Sequence, residues 1–243
     1  MIHSILKKIK RWKKRSKIGR ENPELWLVKK EKVRLGYIQI PKVATRSIQL
    51  CMAQYYTKLN NEPTPETWRK EDIRYIENKT ARHLSQKEIS NIAGCCFIFA
   101  FVRNPYDRLY SAYKNKVIQP LKVNGKNIFE HHGIELGISF KQFVDIVISI
   151  PDNEIDRHLR SQSWFLTFEG KVIPQYIGYL ETFDKDWAKL KKQFALGDIL
   201  HRNSTENLDL EAFRSQYDKE SEGKVFNRYK DDFELFGYER IQI

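Results

Sequence analysis

Cationic and hydroxyl side chains occur at two points of the sequence where an apolar, strand-like segment gives way to a helix-like one. The first junction follows residues 33–41 and consists of Lys42, Val43, Ala44, Thr45, Arg46 and Ser47. The second junction follows residues 95–102 and contains Arg103 and, two helical turns further on, Ser111. The unpaired N–H groups and the positive dipole end of a helix's first turn attract anions. Two such junctions in one domain predict a ligand that carries two separated anionic groups.

The residues of the two junctions also fit less specialised roles. Ser and Thr are common helix caps, so the first junction also fits an ordinary capped helix with exposed cations. A nucleoside triphosphatase fits less well, because G-x-x-x-x-G-K-[ST] is absent and residues 40–47 contain no glycine. At the second junction Arg108 and Lys114 are further candidates, although surface ion pairs explain their positions equally well.

The segments around these junctions alternate between strand-like and helix-like patterns. Strands are expected at 33–41, at 95–102 and within 171–180; helices are expected at 45–59, from 104 onward, at 140–150, at 184–194 and once or twice within 208–236; residues 60–72 are expected as a loop. This alternation is typical of an α/β fold with a mostly parallel sheet flanked by helices. Open sheets of this kind bind ligands beyond the carboxyl ends of their strands, where both junctions would lie.

The net charge of +12 is concentrated at the amino end of the chain. Residues 1–20 hold nine Lys and Arg and no acid, which leaves 34 basic and 31 acidic residues in the remainder. We therefore expect a basic extension over residues 1–30 and a single, nearly neutral domain over residues 31–243. A near-neutral body argues against nucleic acid as the partner.

The basic extension carries an intermittent apolar stripe, so residues 1–20 could contact an anionic membrane peripherally. They are too interrupted by charge for a membrane span or a secretory signal, and the cytoplasm is the expected compartment. Cys51, Cys95 and Cys96 have no metal-ligand spacing, and Cys95 and Cys96, at the start of an apolar run, are expected as buried thiols. No metal site is expected.

Both junctions resemble motifs of the carbohydrate sulfotransferases, a family that includes heparan 2-O-sulfotransferase and the chondroitin and HNK-1 sulfotransferases. Residues 40–47 resemble the loop that binds the donor's 5′-phosphosulfate. Residues 101–113 match R-[ND]-P-x-x-R-L-x-S-x-Y, the more specific motif, which binds the 3′-phosphate. Residues 158–166, 176–181 and 229–238 continue the resemblance, which covers roughly 35–238.

The resemblance implies a P-loop-like three-layer fold and the co-substrate 3′-phosphoadenosine 5′-phosphosulfate, whose sulfonate group is transferred to a glycan hydroxyl. Lys42 would bridge the phosphate and the sulfonate, and residues 43–47 would surround the 5′ side. Arg103 and Ser111 would hold the 3′-phosphate. Arg46 is a departure, because relatives usually have a hydroxyl residue there. Animal relatives work in the Golgi lumen behind a membrane anchor, which is the alternative compartment if an anchor has been removed.

In-line transfer needs a base that accepts the acceptor hydroxyl's proton, and histidine titrates in the right range. His83 resembles the catalytic histidine of heparan 2-O-sulfotransferase and is the expected base. His158 is the second choice, and together with Arg160 it is expected to contact the acceptor. His131 and His132 are expected in a loop without a catalytic role.

Two other functions compete with the sulfotransferase. One is a basic protein that binds polyanions or membranes, with the two junctions seating backbone phosphates. The other is a nucleotide kinase-like enzyme, which would need a triphosphate-binding loop and carboxylates for magnesium.

Overall fold

The computed structural model describes residues 22–123, 125–199, 213 and 215–243. Its strands are β1 (Glu24–Lys30), β2 (Val33–Gln39), β3 (Ala81–His83), β4 (Phe97–Val102), β5 (Thr167–Phe168), β6 (Lys171–Val172) and β7 (Tyr176–Tyr179). Its α-helices are α1 (Thr45–Asn60), α2 (Lys70–Thr80), α3 (Gln86–Ala93), α4 (Pro105–Tyr113), α5 (Gln119–Lys122), α6 (Phe140–Ser149), α7 (Gln162–Leu166), α8 (Phe183–Phe194), α9 (Lys219–Arg228) and α10 (Lys230–Phe236). Residues 1–20 and 208–212, for which an extension and the start of a terminal helix were predicted, lie outside the described residues.

The central sheet of the described chain has the strand order β3-β1-β2-β4-β7. β2, β4 and β7 pair in parallel, while β1 runs antiparallel to both β2 and β3. Four strands therefore point the same way, and the expected α/β class with a mostly parallel sheet is confirmed. The likeness to a P-loop fold stays a prediction.

The predicted extension over residues 1–30 is wrong at its carboxyl end. Glu24–Lys30 is strand β1, paired along its whole length with β2, and Trp26 and Val28 are fully buried. Glu31, at φ 50°, and Lys32 form the tight turn between the two strands. The charged run at residues 29–32 therefore belongs to a hairpin, although in sequence it looks like a continuation of the basic tail.

Helices α2 and α3 were not predicted, and α2 begins inside the expected loop at residues 60–72. Only Ile76 and Thr80 of α2 are buried, which gives it too weak an apolar stripe to detect. α3 does carry a sequence signal, the S-x-x-E capping box: the Ser85 hydroxyl oxygen accepts the Glu88 N–H, and the Glu88 carboxylate accepts the Ser85 N–H. The short edge strand β3 lies between α2 and α3 in the sequence.

Two clusters of buried apolar side chains hold the elements together. One surrounds the sheet and includes the aromatic rings of β4, and the other joins α4, α6, α9 and α10. Within the first, Gly178 on β7 allows Phe101 on β4 to pack closely, because an added Cβ would lie 2.4 Å from the Phe101 ring. Cys96 is buried as expected and Cys51 is buried too, whereas the expectation for Cys95 is wrong: it is exposed, because it lies in the turn before β4 begins.

Every helix in the described part of the chain is too short or too polar to cross a membrane.

Candidate active site

A cavity of about 1210 Å³ opens beyond the carboxyl ends of β2, β4 and β7. The residues of both predicted junctions line it together, namely Lys42, Val43, Ala44, Thr45, Arg46, Ser47, Arg103 and Ser111. His158 lines it as well, but His83 and Arg160 do not. The structure therefore places the expected anion-binding residues in a single cavity, at the edge of the sheet where an open α/β fold binds its ligands.

The first junction is a tight loop that leads into α1. Lys42 and Ala44 adopt left-handed backbone angles, φ 72° and 43°, which cost a residue with a side chain about 1–2 kcal/mol each. Ala44 is the N-cap of α1 and provides no side-chain cap, so the ordinary capped helix is not what forms here. Strained backbone of this kind clusters at functional sites. The uncapped, positive end of α1 is consistent with an anion-binding role.

Lys42 lies among other cations. Burial, followed by the positive charges of Lys116, Arg103, Arg46 and Arg108, lowers the pKa of Lys42 to about 7. Like charges around a half-desolvated ammonium favour its neutral form. A bound anion would reverse this effect, so the charges of the site suit an anionic ligand.

Arg103, at the second junction, lies next to the loop of the first junction. Arg103 is only 6% exposed, and burial lowers its pKa. Its Nη1 lies 3.5 Å from the carbonyl oxygen of Lys42, a long contact that leaves most of the guanidinium donors available to a ligand. Asn104 caps α4 by accepting a hydrogen bond from the Tyr106 N–H at 3.0 Å, so the chain turns into the helix directly after Arg103.

Arg108 is a brace between the junctions rather than a surface residue. Its side chain is 2% exposed, with Nε donating to the Pro41 carbonyl at 3.1 Å and Nη1 to the Arg160 carbonyl at 2.7 Å. Arg160 itself is fully buried, donates from Nε to the Ile155 carbonyl at 2.9 Å and lies over the Trp164 ring. Its placement gives no support to the predicted acceptor contact, because a polar run in sequence does not reveal which side chains point inward.

His158 forms a dyad with Asp156 on the cavity wall. Its Nδ1 lies 2.7 Å from Asp156 Oδ1, and its backbone N–H donates to the same oxygen at 2.8 Å. Burial lowers the pKa of His158, while Asp156 opposes this effect. An Nδ1–H held by a carboxylate leaves Nε2 unprotonated and able to accept a proton. His132 supports the dyad, since its Nε2 accepts the Asp156 N–H at 2.9 Å.

His83 lies on β3, opposite Glu24 in the register of the sheet. Its Nε2 is 3.8 Å from a carboxylate oxygen of Glu24, and its Nδ1 is 3.3 Å from the Asn22 carbonyl. Glu24 lines the cavity but His83 does not, so the histidine expected to act as the base has no direct contact with the space that a substrate would fill.

Several cavity residues were missed in the sequence. A π-helix at Lys114–Ile118 follows α4 and brings Asn115 and Lys116 to the cavity, beside Lys114, which is a candidate from the sequence. π-Helical turns often occur at functional sites, but no sequence pattern marks them. Among the described residues, six Lys and Arg side chains line the cavity: Lys42, Arg46, Arg103, Lys114, Lys116 and Arg157.

Carboxylates lie at the end of the cavity near β1 and α2. Glu24 accepts a hydrogen bond from the Trp26 indole at 2.9 Å and one from Arg157 at 3.3 Å. Glu77, on α2, has no hydrogen bond or ion pair from its side chain to any part of the chain that the structure covers. Burial and then the charge of Glu24 raise the pKa of Glu77. The cavity therefore has a cationic end around Lys42 and a mixed end around Glu77.

Comparison with known proteins places these residues in a family. A family model described as "Sulfotransferase family" matches residues 26–239. Carbohydrate sulfotransferase 12 of Mus musculus is 26% identical over 207 residues, which cover 74% of this chain and 48% of the mouse protein. The chain thus spans about half the length of that relative. No solved structure matches.

Proposed function

The chain belongs to the sulfotransferase family, and we propose that it transfers a sulfonate group from 3′-phosphoadenosine 5′-phosphosulfate to a hydroxyl group of a carbohydrate. The observation that carries this proposal is the meeting of Lys42 and Arg103 in one cavity, with the guanidinium of one 3.5 Å from the carbonyl of the other. This arrangement offers separate cationic positions for the two phosphate-bearing ends of a single nucleotide.

The donor's two ends would bind to different elements. The 5′-phosphosulfate would lie at the start of α1, against Lys42 and the hydroxyl groups of Thr45 and Ser47. The 3′-phosphate would lie against Arg103 and Ser111. Arg46, exposed at the rim of the cavity, would add charge where relatives usually have a hydroxyl group.

The chemical step is an in-line displacement at sulfur. The acceptor oxygen forms a bond to sulfur while the bond from sulfur to the 5′-phosphate oxygen breaks, and adenosine 3′,5′-bisphosphate leaves with the electron pair. Lys42 stabilises the negative charge that develops on the leaving oxygen, and positioning together with cationic stabilisation supplies most of the rate. The acceptor's proton passes to a base.

We propose His158 as that base. It lies on the cavity wall, its Nδ1 is held by Asp156, and burial lowers its pKa, which favours the neutral imidazole that a base requires. His83 remains the prediction from resemblance, and its position behind Glu24 makes it the weaker choice.

The acceptor would occupy the mixed end of the cavity. Carbohydrate is proposed as the acceptor because the mouse relative is named a carbohydrate sulfotransferase. Glu24, Glu77 and Arg157 supply the hydrogen-bond acceptors and donors that sugar hydroxyls use. The resemblance implies that animal members of the family work in the Golgi lumen, and the matched relative is a mouse protein. We therefore propose the Golgi lumen, rather than the cytoplasm, as the compartment.

Calorimetric titration tests the donor site. We expect adenosine 3′,5′-bisphosphate to bind more tightly than ATP, and Arg103→Ala to weaken the bisphosphate by at least about tenfold through loss of a charge-assisted, bidentate contact. Arg82→Ala is the matched control, because Arg82 is exposed on β3 and does not line the cavity. Equal affinity in wild type and Arg103→Ala would refute the assignment, and tighter binding of ATP would favour the kinase alternative.

Transfer itself is tested by incubating the protein with sulfur-labelled donor and a panel of desulfated polysaccharides. We expect label in at least one polysaccharide and none when Lys42→Ala replaces the wild type. A salt titration of binding to the same polysaccharides without donor separates catalysis from simple polyanion binding.

A further inference from the structure

The backbone of Arg103 is held by a side chain from a distant part of the chain. The Gln162 carboxamide oxygen accepts the Arg103 N–H at 2.9 Å, and its Nε2 donates to the Arg103 carbonyl at 2.7 Å. Gln162 is fully buried. One side chain thus satisfies both main-chain groups of the residue proposed to bind the 3′-phosphate.

This pairing occurs where the sheet can no longer supply it. The ladder between β4 and β7 ends at Val102 and Tyr179, so Arg103 is the first residue beyond it. Buried backbone groups need partners, and the Gln162 carboxamide takes the place of a neighbouring strand. On the next residue, Glu181 accepts the Asn104 N–H at 2.6 Å. Side-chain hydrogen bonds therefore hold the backbone of Arg103 and of Asn104, where the chain turns into α4.

Gln162 is itself fixed by Asp232 of α10. The Asp232 carboxylate accepts the backbone N–H groups of Gln162 at 2.8 Å and Ser163 at 2.6 Å, and it lies 3.4 Å from Gln162 Nε2. Asp232 is 0% exposed and makes no ion pair within the described ranges. A buried carboxylate without a bonded cation is costly, and its bonds to these N–H groups offset that cost.

We infer that Gln162 and Asp232 are positioning residues that set the direction of Arg103 and thereby the recognition of the donor's 3′-phosphate. The inference rests on the proposed function, in which Arg103 contacts that phosphate. It gives a role to two sequence segments, 158–166 and 229–238, that the cavity residues leave mostly unexplained. Neither Gln162 nor Asp232 lines the cavity, so both act through Arg103.

The test compares two nucleotides that differ only in the 3′-phosphate, adenosine 3′,5′-bisphosphate and adenosine 5′-monophosphate. Calorimetry gives the ratio of their dissociation constants for the wild type and for Gln162→Met, which keeps the side chain's length and loses both bonds to Arg103. We expect this ratio to fall by at least about tenfold in the variant while the monophosphate affinity changes by less than about twofold.

A second pair of variants keeps the test valid if Gln162→Met fails to fold. Asp232→Asn replaces the buried carboxylate, and Asp231→Asn makes the same change at the exposed neighbour on α10. The ratio should fall in Asp232→Asn and stay at the wild-type value in Asp231→Asn. Thermal unfolding verifies that each protein is folded at the temperature of the titration.

Two results would overturn the inference. One is an unchanged ratio in folded Gln162→Met or Asp232→Asn, and the other is an equal loss of affinity for both nucleotides, which a merely structural role would produce. A wild type that binds both nucleotides equally would instead refute the 3′-phosphate site itself. The experiment therefore distinguishes failure of the proposed function from failure of the positioning role of Gln162 and Asp232.

Discussion

Nucleotide binding should weaken steeply as the pH rises from 7 to 9, because Lys42 has to be protonated to hold a phosphate. Its pKa is lowered to about 7 by burial and by the cations around it. A bound phosphate adds negative charge and raises this pKa again, so the complex holds more protons than the free protein above pH 7. By linkage, the state that binds more protons loses stability as the pH rises.

The size of the effect follows from the titration of one group. With a pKa of about 7, Lys42 is about half protonated at pH 7 and about one-hundredth protonated at pH 9. If only the charged form binds, the dissociation constant of adenosine 3′,5′-bisphosphate rises by about 50-fold, or ~2.3 kcal/mol. The nucleotide's own phosphates ionise near pH 6 and are close to fully charged over this range.

Calorimetry in buffers of different ionisation enthalpy measures both quantities. We expect binding at pH 8 to take up about 0.9 proton per nucleotide, since about nine-tenths of Lys42 is neutral there. Lys42→Arg is the control, because a guanidinium stays charged throughout the range. Its affinity should be nearly independent of pH. Wild-type binding without proton uptake, or the same pH dependence in Lys42→Arg, would show that Lys42 is not the group that titrates.

Five substitutions test the base, the acceptor end of the cavity and the local packing. His158→Ala should lower kcat by about 10²–10⁴-fold with unchanged bisphosphate affinity, whereas His83→Ala should turn over near the wild-type rate; the opposite result would restore His83 as the base. Glu77→Gln should raise the KM for a polysaccharide acceptor and leave bisphosphate affinity unchanged, and an effect confined to the nucleotide would contradict its place at the acceptor end. Ala44→Gly should raise the free energy of unfolding by about 1 kcal/mol, or about 2–4 °C in Tm, because the left-handed angle suits glycine. Gly178→Ala should lower it by about 1–3 kcal/mol by forcing Cβ into the Phe101 ring, and a neutral result in urea unfolding would show that the strands move apart freely.

The parts of the fold that could be predicted are those with strong local signals. The apolar runs at β2 and β4, and the cationic residues that follow them, announce a buried strand and an anion-binding turn without any knowledge of their neighbours. Pro105 after Asn104 marks the start of α4 in the same way. Because parallel strands end at the same edge of a sheet, these local features also brought Lys42 and Arg103 together correctly.

The features that were missed depend on long-range contacts. Glu24 and Glu77 reach the cavity only because β1 pairs with β2 and α2 packs beside them, and nothing in their own segments shows this. Lys116 depends on a π-helical turn. Arg160 looks like a ligand contact in sequence and is fully buried, whereas His158, two residues earlier, faces the cavity. Residue type alone does not reveal which of two neighbouring polar side chains points inward.

A crystal structure with adenosine 3′,5′-bisphosphate would show at once whether the two junctions bind opposite ends of one nucleotide. We expect the 5′-phosphate within hydrogen-bonding distance of Lys42 and the first turn of α1, and the 3′-phosphate against Arg103 and Ser111. A nucleotide bound elsewhere, or one whose two phosphates both lie on the same junction, would contradict the proposed donor site.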